Sequence, residues 1–417
     1  MTPELVRRIV VTIGALLLFR LGTYIPLPGI NPAIWERFFG TQQGGILGMF
    51  NLFASDGIHR MAILALGLIP YLSAAVIMKL LSVVWRGLKS LERSGEDGRR
   101  RIARYTLILT LFIAAFYGYR QAVGLQAVNT VVANPGSWFV LSATASMVGG
   151  TFFLVWLSEQ ITRHGIGNGL ALIFLTGIVA ELPSTLVSLF EMGRVSSPAL
   201  PFVVSVMVVA MIAFVVFMEG ARRNIRVEFA GRMAGKRMLP ARSTVLPIKI
   251  NSAGFLMPAT MSNWIIFGPL DFPAVRFDGG PGWSVALANH HWWSAALVNH
   301  HLIIGAIAVF VIAFIYTAHV IDPEHTAESL RKHGGVISGV EPGESTAKHL
   351  DRVVSLTTVV GATYLVILWL FPELLLAFGV SFFFSGGAAL IVVCTVLDIR
   401  TQVRDLSRIN LMGAEQR

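Results

Sequence analysis

The sequence predicts an all-α polytopic membrane protein of ten transmembrane helices, arranged as two inverted halves of five. Three observations carry this. Residues of the set AVILMFWYC make up 54% of the 417 residues and charged residues only 13%, about half the charged share of a soluble domain. Mean hydropathy is +0.68. Apolar runs of about 20 residues, the length that crosses a bilayer core, recur along the whole chain. Intrinsic disorder, collagen-like repeats and an ordinary soluble enzyme are excluded. The one cysteine, Cys394, leaves no intrachain disulfide and no Cys-based metal site.

The spans read as 9–27, 60–84, 104–126, 137–157, 169–190, 199–219, 252–270, 302–321, 353–371 and 374–397. The first follows Arg7 and Arg8, but the sequence after it, TYIPLPGINP, holds no small-x-small cleavage signal, so it is read as a retained span. The expected halves are 1–190 and 191–417.

Charge sets the orientation. With the N-terminus in the cytosol, 26 of the 33 Lys and Arg fall on the cytosolic side, in the N-tail and in 85–104, 158–168, 220–249, 322–352 and 398–417. Five fall opposite: Arg37, Arg60, Arg120, Arg194 and Arg276. This asymmetry places both termini in the cytosol. Arg20 and Lys79 lie within spans. Arg20 can snorkel to the outer interface near Tyr24, and Lys79 either snorkels or serves a water-exposed gate. Trp292 and Trp293 with His290, His291, His300 and His301 suit a wet outer interface. With no helical i,i+4 pair backed by a carboxylate, these histidines are not read as a metal site.

Residues 44–59, GGILGMFNLFASDGIH, are apolar but too short to span. Such a segment either lies on the surface as an amphipathic helix or re-enters the membrane, where protein or a water-filled cavity satisfies its backbone. Each half also carries a proline followed by a serine in its second span: Pro70 with Ser73, and Pro258 with Ser262. Interrupted helices at matching places point to a functional midplane.

Chemistry is sparse. Glu181, in span 169–190, is the one Asp or Glu near the middle of a span, fewer than a coupled transporter usually carries. No nucleophile-and-base constellation lies within the spans, and no GxxxxGK[ST] motif is present. What remains is a passive or gated path for something supplied from the basic side.

Five blocks carry a family resemblance: ALGLIPYLSAAVIMKLLSVV (65–84), GEDGRRRIARYT (95–106), GGTFFLVWLSEQITRHGIGNGLALIFLTGIVAELP (149–183), LPIKINSAGFLMPA (246–259) and EPGESTAKHLDRV (341–353). They resemble SecY, the channel subunit of the bacterial protein translocase, collinearly from about Leu5 to Val403. The resemblance implies a clam shell of two halves around an hourglass pore in the bacterial inner membrane. Unfolded preproteins would cross through the pore, and transmembrane segments would leave into lipid between spans 2 and 3 on one side and 7 and 8 on the other. It implies SecE-like and SecG-like small subunits, the SecA ATPase and the ribosome as partners, and no cofactor or enzymatic activity.

Matched residue by residue, the pore ring falls on Leu68, Leu72, Leu170, Phe174, Thr260 and Ile391, with Val392, Met257 or Met261 as register neighbours. A narrow apolar ring dewets and blocks ions, yet parts for a polypeptide. The 44–59 segment resembles the plug, with Met49, Phe50, Asn51, Leu52 and Phe53 at its centre. The lateral gate falls on Ser73, Lys79 and Phe267. SecA or ribosome docking falls on Arg222, Arg223, Lys236, Arg237 and Glu341. Three residues depart from the family pattern: Glu341 replaces an Arg, Lys79 replaces a Gln, and Thr260 puts a hydroxyl in the ring. These departures suit an accessory SecY-like paralogue with restricted substrates. An inverted-repeat secondary transporter would share the helix count, but this chain carries only Glu181 of the midspan carboxylates such a transporter would be expected to show.

Overall fold

The computed structural model describes residues 3–35, 60–127, 130–195, 198–229, 232–234, 237–239, 242–252, 254, 292–377 and 386–415. Helices α1 (Pro3–Gly22), α2 (Ile69–Val84), α3 (Arg86–Arg93), α4 (Glu96–Ala127), α5 (Ser137–His164), α6 (Gly169–Val195) and α7 (Leu200–Gly220) come first. Strands β1 (Arg222–Phe229), β2 (Arg232–Ala234), β3 (Arg237–Leu239) and β4 (Arg242–Lys249) follow. Then come α8 (Trp292–Val320), α9 (Pro323–Lys332), β5 (Gly335–Ile337), α10 (Glu344–Ala377) and α11 (Gly386–Glu415).

Described helices overlap nine of the ten expected spans, although in 374–397 residues 374–377 end α10, 378–385 lie outside the described residues and α11 begins at Gly386; the remaining span, 252–270, lies outside the described residues from 255 onward. Seven described helices are long and apolar enough to cross a membrane. The helices overrun the apolar runs. α4 begins at Glu96 rather than 104, and α11 continues to Glu415. Hydropathy marks only the stretch in hydrocarbon, whereas the backbone continues its i→i−4 bonding into water.

The second span needs correction. Its helix starts at Ile69, with Pro70 in the first turn. Pro70 therefore does not interrupt a span: its missing N–H falls where a helix has no partner for it anyway. Residues 61–68 form turns, and nearly all of them are buried. Their backbone is satisfied by pairing with the chain after α1: the Leu27 amide donates to Met61 O at 3.0 Å and the Ile63 amide to Ile25 O at 3.0 Å. Irregular backbone is tolerated at such depth when protein covers it. Leu27, Trp35, Met61, Leu125, Val131 and Phe139 belong to one apolar cluster that closes this end of the bundle. Gly150 of α5 meets the same stretch, and a Cβ there would lie 2.2 Å from Ile63 O.

The basic loops add strands to the mostly helical architecture, which the sequence reading did not anticipate. A three-stranded antiparallel sheet runs in the order β4-β1-β5. β1 pairs along its length with β4, from Arg222↔Lys249 to Phe229↔Arg242. Pro247 is tolerated because β4 is an edge strand. β5, from the next basic loop, pairs Val227↔Ile337 and Phe229↔Gly335. Gly335 leaves room for the Phe229 ring, whose Cε1 would be 2.8 Å from an added Cβ. Ile225 and Val227 alternate inward and join Ile248, Ala327, Ile337, Leu350 and Val354 in a separate core. That core fastens the sheet to α9 and to the start of α10.

Candidate functional site

The ring residues come from runs of Leu, Phe and Ile, so their meeting depends on helix placement. The turn entering α2 brings Leu68, α2 brings Leu72, α6 brings Phe174, and α11 brings Ile391, all into one buried apolar cluster. They are 1%, 8%, 2% and 9% exposed. Leu170 and Val392 are partly buried against the same cluster. Val309 and Ala313 of α8 and Met211 and Val215 of α7 complete its walls. Thr260, Met257 and Met261 lie outside the described residues, as does the plug segment with Met49, Phe50, Asn51, Leu52 and Phe53.

Beside this cluster α2 meets α8. Val76 and Ile312 are buried against each other's neighbourhood, with Leu80 and Ala308 packed alongside. This seam joins the two expected halves where the family resemblance sets span 2 opposite span 8; Val76 and Ile312 themselves were not singled out, because β-branched residues in apolar runs carry no distinguishing signal. Ser73 precedes it on α2, 2% exposed, and its hydroxyl has no hydrogen-bond partner among the described residues. Lys79 is half-buried on the same helix. Phe267 lies outside the described residues. Arg20 sits over the Tyr24 ring, 5.3 Å from its centroid. Arg60 stacks on the same ring at 3.9 Å.

The block SEQITRHGIGNG ends α5 and forms the turn into α6, and its geometry explains its residues. Asn168 Oδ1 accepts the amides of Leu170 at 3.0 Å and Ala171 at 3.4 Å, capping α6. The Gly169 amide donates to Thr162 Oγ1 at 2.9 Å. A Cβ on Gly169 would lie 1.9 Å from Ser158 O, so only glycine fits. Gly167 adopts φ +84°, the left-handed region that favours glycine. Two distant side chains seize this turn. Thr12 Oγ1 of α1 accepts the Ile166 amide at 3.0 Å, and Gln402 Oε1 of α11 accepts the Gly167 amide at 2.8 Å. A polar residue in the first apolar run was the one available signal for Thr12; nothing marked Gln402.

The docking candidates lie on the strands and the following loop. Arg222 and Arg223 are exposed on β1. Arg237 opens β3, while Lys236 lies outside the described residues. Glu341 is exposed in the turn before α10, where its carbonyl accepts from Thr346 Oγ1 at 2.8 Å.

The SecY family profile matches residues 62–400. The protein translocase subunit SecY of Escherichia coli K12 is 41% identical over 409 residues, covering 97% of this chain and 92% of the relative. SecY of Vibrio cholerae serotype O1 is 40% identical over 411 residues, covering 96% and 91%. Among solved structures, a protein-conducting channel superposes with TM-score 0.65 at 17% identity, covering 96% of this chain and 92% of that one. Sec61 in the canine ribosome–channel complex from the endoplasmic reticulum gives TM-score 0.60 at 16% identity, covering 97% and 92%. At these identities the superpositions establish the fold, and the closer sequence relatives establish the family: the chain belongs to the SecY family of protein translocase channel subunits.

Proposed function

We propose that the chain passes unfolded preproteins through an apolar ring formed by Leu68, Leu72, Leu170, Phe174, Ile391 and Thr260, and releases transmembrane segments sideways between its two five-span halves. The observation that carries this is the convergence of Leu68, Leu72, Phe174 and Ile391, from three separate segments of the chain, into one buried apolar cluster. A ring of this composition excludes water and ions at rest and needs no catalytic group. The 44–59 segment plugs the outer side. Ser73 and Lys79 line the gate with Phe267.

The basic side faces the cytosol with both termini, as the one-sided charge favours, and the membrane is the bacterial inner membrane. Small SecE-like and SecG-like subunits complete the assembly. SecA or the ribosome docks at Arg222, Arg223, Lys236, Arg237 and Glu341; basic side chains there suit ribosomal phosphates. Ribosome-bound Sec61 and the yeast Ssh1 complex on the 80S ribosome share the fold, which supports that docking.

The test is Ile391→Asn. A polar side chain in the ring wets it, so resting ion conductance in planar bilayers rises and precursors with defective signal sequences pass. Unchanged conductance from a folded Ile391→Asn channel removes Ile391 from the ring.

A further inference from the structure

The two helices of the seam are almost free of charge. α2 reads IPYLSAAVIMKLLSVV and α8 reads WWSAALVNHHLIIGAIAVFVIAFIYTAHV, and Lys79 is the single Asp, Glu, Lys or Arg in either. Its place on α2 follows from helix geometry. A helix turns about 100° and rises about 1.5 Å per residue. Lys79 stands seven residues after Leu72, so it shares that residue's side of α2 to within about 20° and lies about 10 Å farther toward the basic end. Val76 and Leu80, which pack with Ile312 and Ala308, lie about 60° and 100° around the helix from Lys79. Leu81, 37% exposed, lies beyond them. Going round α2, the ring side with Leu72 and Lys79 comes first, then the seam, then the outer surface. Lys79 therefore stands on the inner lip of the seam. It is half-buried, a burial that suits a stem lying on apolar neighbours and an ammonium that keeps its water.

We propose that Lys79 is a specificity-determining residue of the exit, selecting segments by the sign of one charge. The proposal rests on the lateral-gate reading above. A segment that leaves between α2 and α8 slides past Val76 and Leu80 and strips water from the ammonium. An apolar segment gives nothing in return, and desolvating a cation is costly. A segment with Asp or Glu at that level supplies a counter-charge, and the pair replaces the lost water. A segment with Lys or Arg there adds repulsion between like charges, in a setting that screens them weakly. Lys79 is five residues before the end of α2, so the level is about one and a half turns from the basic-side end of the leaving segment. The favoured substrates are transmembrane segments with a carboxylate at that depth. A partly buried pair of this kind shifts a partition about three- to tenfold.

The test reconstitutes the assembled channel, with its small subunits and driving ATPase, in lipid vesicles. A model precursor carries one Leu/Ala segment near the threshold between integration and full passage. The guest residue one and a half turns from the segment's basic-side end is Asp, Asn or Lys, and the readout is the integrated fraction. Lipid itself ranks the guests, so each ratio is read against the Lys79→Gln channel. Relative to that channel, the parent raises the Asp-to-Lys ratio about three- to tenfold. Lys79→Arg raises it equally, Lys79→Glu lowers it below the Lys79→Gln value, and the Asn guest, which is isosteric with Asp, moves little. An Asp-to-Lys ratio that is the same in the parent and Lys79→Gln channels overturns the proposal. So does a shift of all three guests alike, which is what a purely structural lysine gives. If Lys79→Glu fails to assemble, the comparison of Lys79→Gln with Lys79→Arg decides. The gate reading is judged separately with Val76→Cys and Ile312→Cys in a Cys394→Ser background. If integration continues at full rate after those thiols are crosslinked, the seam is not the exit, whatever the guests show.

Discussion

Asn251 donates from Nδ2 to Glu219 Oε1 at 2.8 Å, and its Oδ1 accepts the Gly254 amide at 3.0 Å. Asn251 is 7% exposed and lies two residues beyond β4. One amide thus ties the outgoing end of the hairpin to the end of α7 and fixes the backbone entering the next span. Both ends of that amide are used, so no other uncharged side chain of similar size replaces it.

Asn251→Ala leaves the Glu219 carboxylate without this donor and frees the Gly254 amide. A hydrogen bond to a charged group contributes about 1.5–3 kcal/mol, so the thermal unfolding midpoint of the purified complex falls. Asn251→Asp is worse, because it sets a second carboxylate against the first. Equal midpoints for the two variants would show that the charge on Glu219 does not matter here.

Adjacent glycines on α5 separate helix propensity from packing. Gly149 has open space around an added Cβ, whereas a Cβ on Gly150 meets Ile63 O at 2.2 Å. Gly149→Ala is neutral or stabilising by up to about 1 kcal/mol. Gly150→Ala forces α5 away from the 61–68 turns and costs about 1–3 kcal/mol or more. Thermal stability of the two variants, side by side, checks the depth at which that irregular stretch is packed.

Deleting residues 48–56 tests the plug. If the segment only covers the outer side, the channel still folds and shows flickering ion conductance. Failure to accumulate in the membrane would mark it as core.

Glu341→Arg changes the exposed turn before α10 by two charge units. Against an acidic partner surface or ribosomal phosphate, binding tightens at low salt and the gain shrinks as salt rises. If the partner presents a basic group opposite Glu341, the same change weakens binding. No change at either salt removes this residue from docking.

Much of the helical frame was legible because hydrocarbon thickness imposes a length that hydropathy reads directly. The start of α2 was not. Whether Pro70 kinks a span or begins a helix depends on Leu27 and Ile25 pairing with Met61 and Ile63, about 35 positions away, and no local pattern encodes that. The hairpin hid for a different reason. In RRNIRVEF the inward Ile225 and Val227 alternate over too few positions, and Arg222, Arg223 and Arg226 around them read as topology. β5 has three residues, below what periodicity detects. Of the ring candidates, Leu68, Leu72, Leu170 and Phe174 were nominated from the family blocks. Spacing alone could not separate Leu72 or Ile391 from Leu154 or Val215, which are buried in the same cluster.

The pairing of β5 with β1 has a mechanical meaning. A ladder pulled along its strands is loaded in shear, so its bonds must fail together, whereas bonds pulled crosswise unzip one at a time. The turn bearing Glu341 follows β5, and the hairpin bearing Arg222 and Arg223 contains β1. A tug on either loop along the strands is therefore shared by both. The strain arrives at the roots of α7 and α10 as a single load, so a partner gripping one loop has a handle on both.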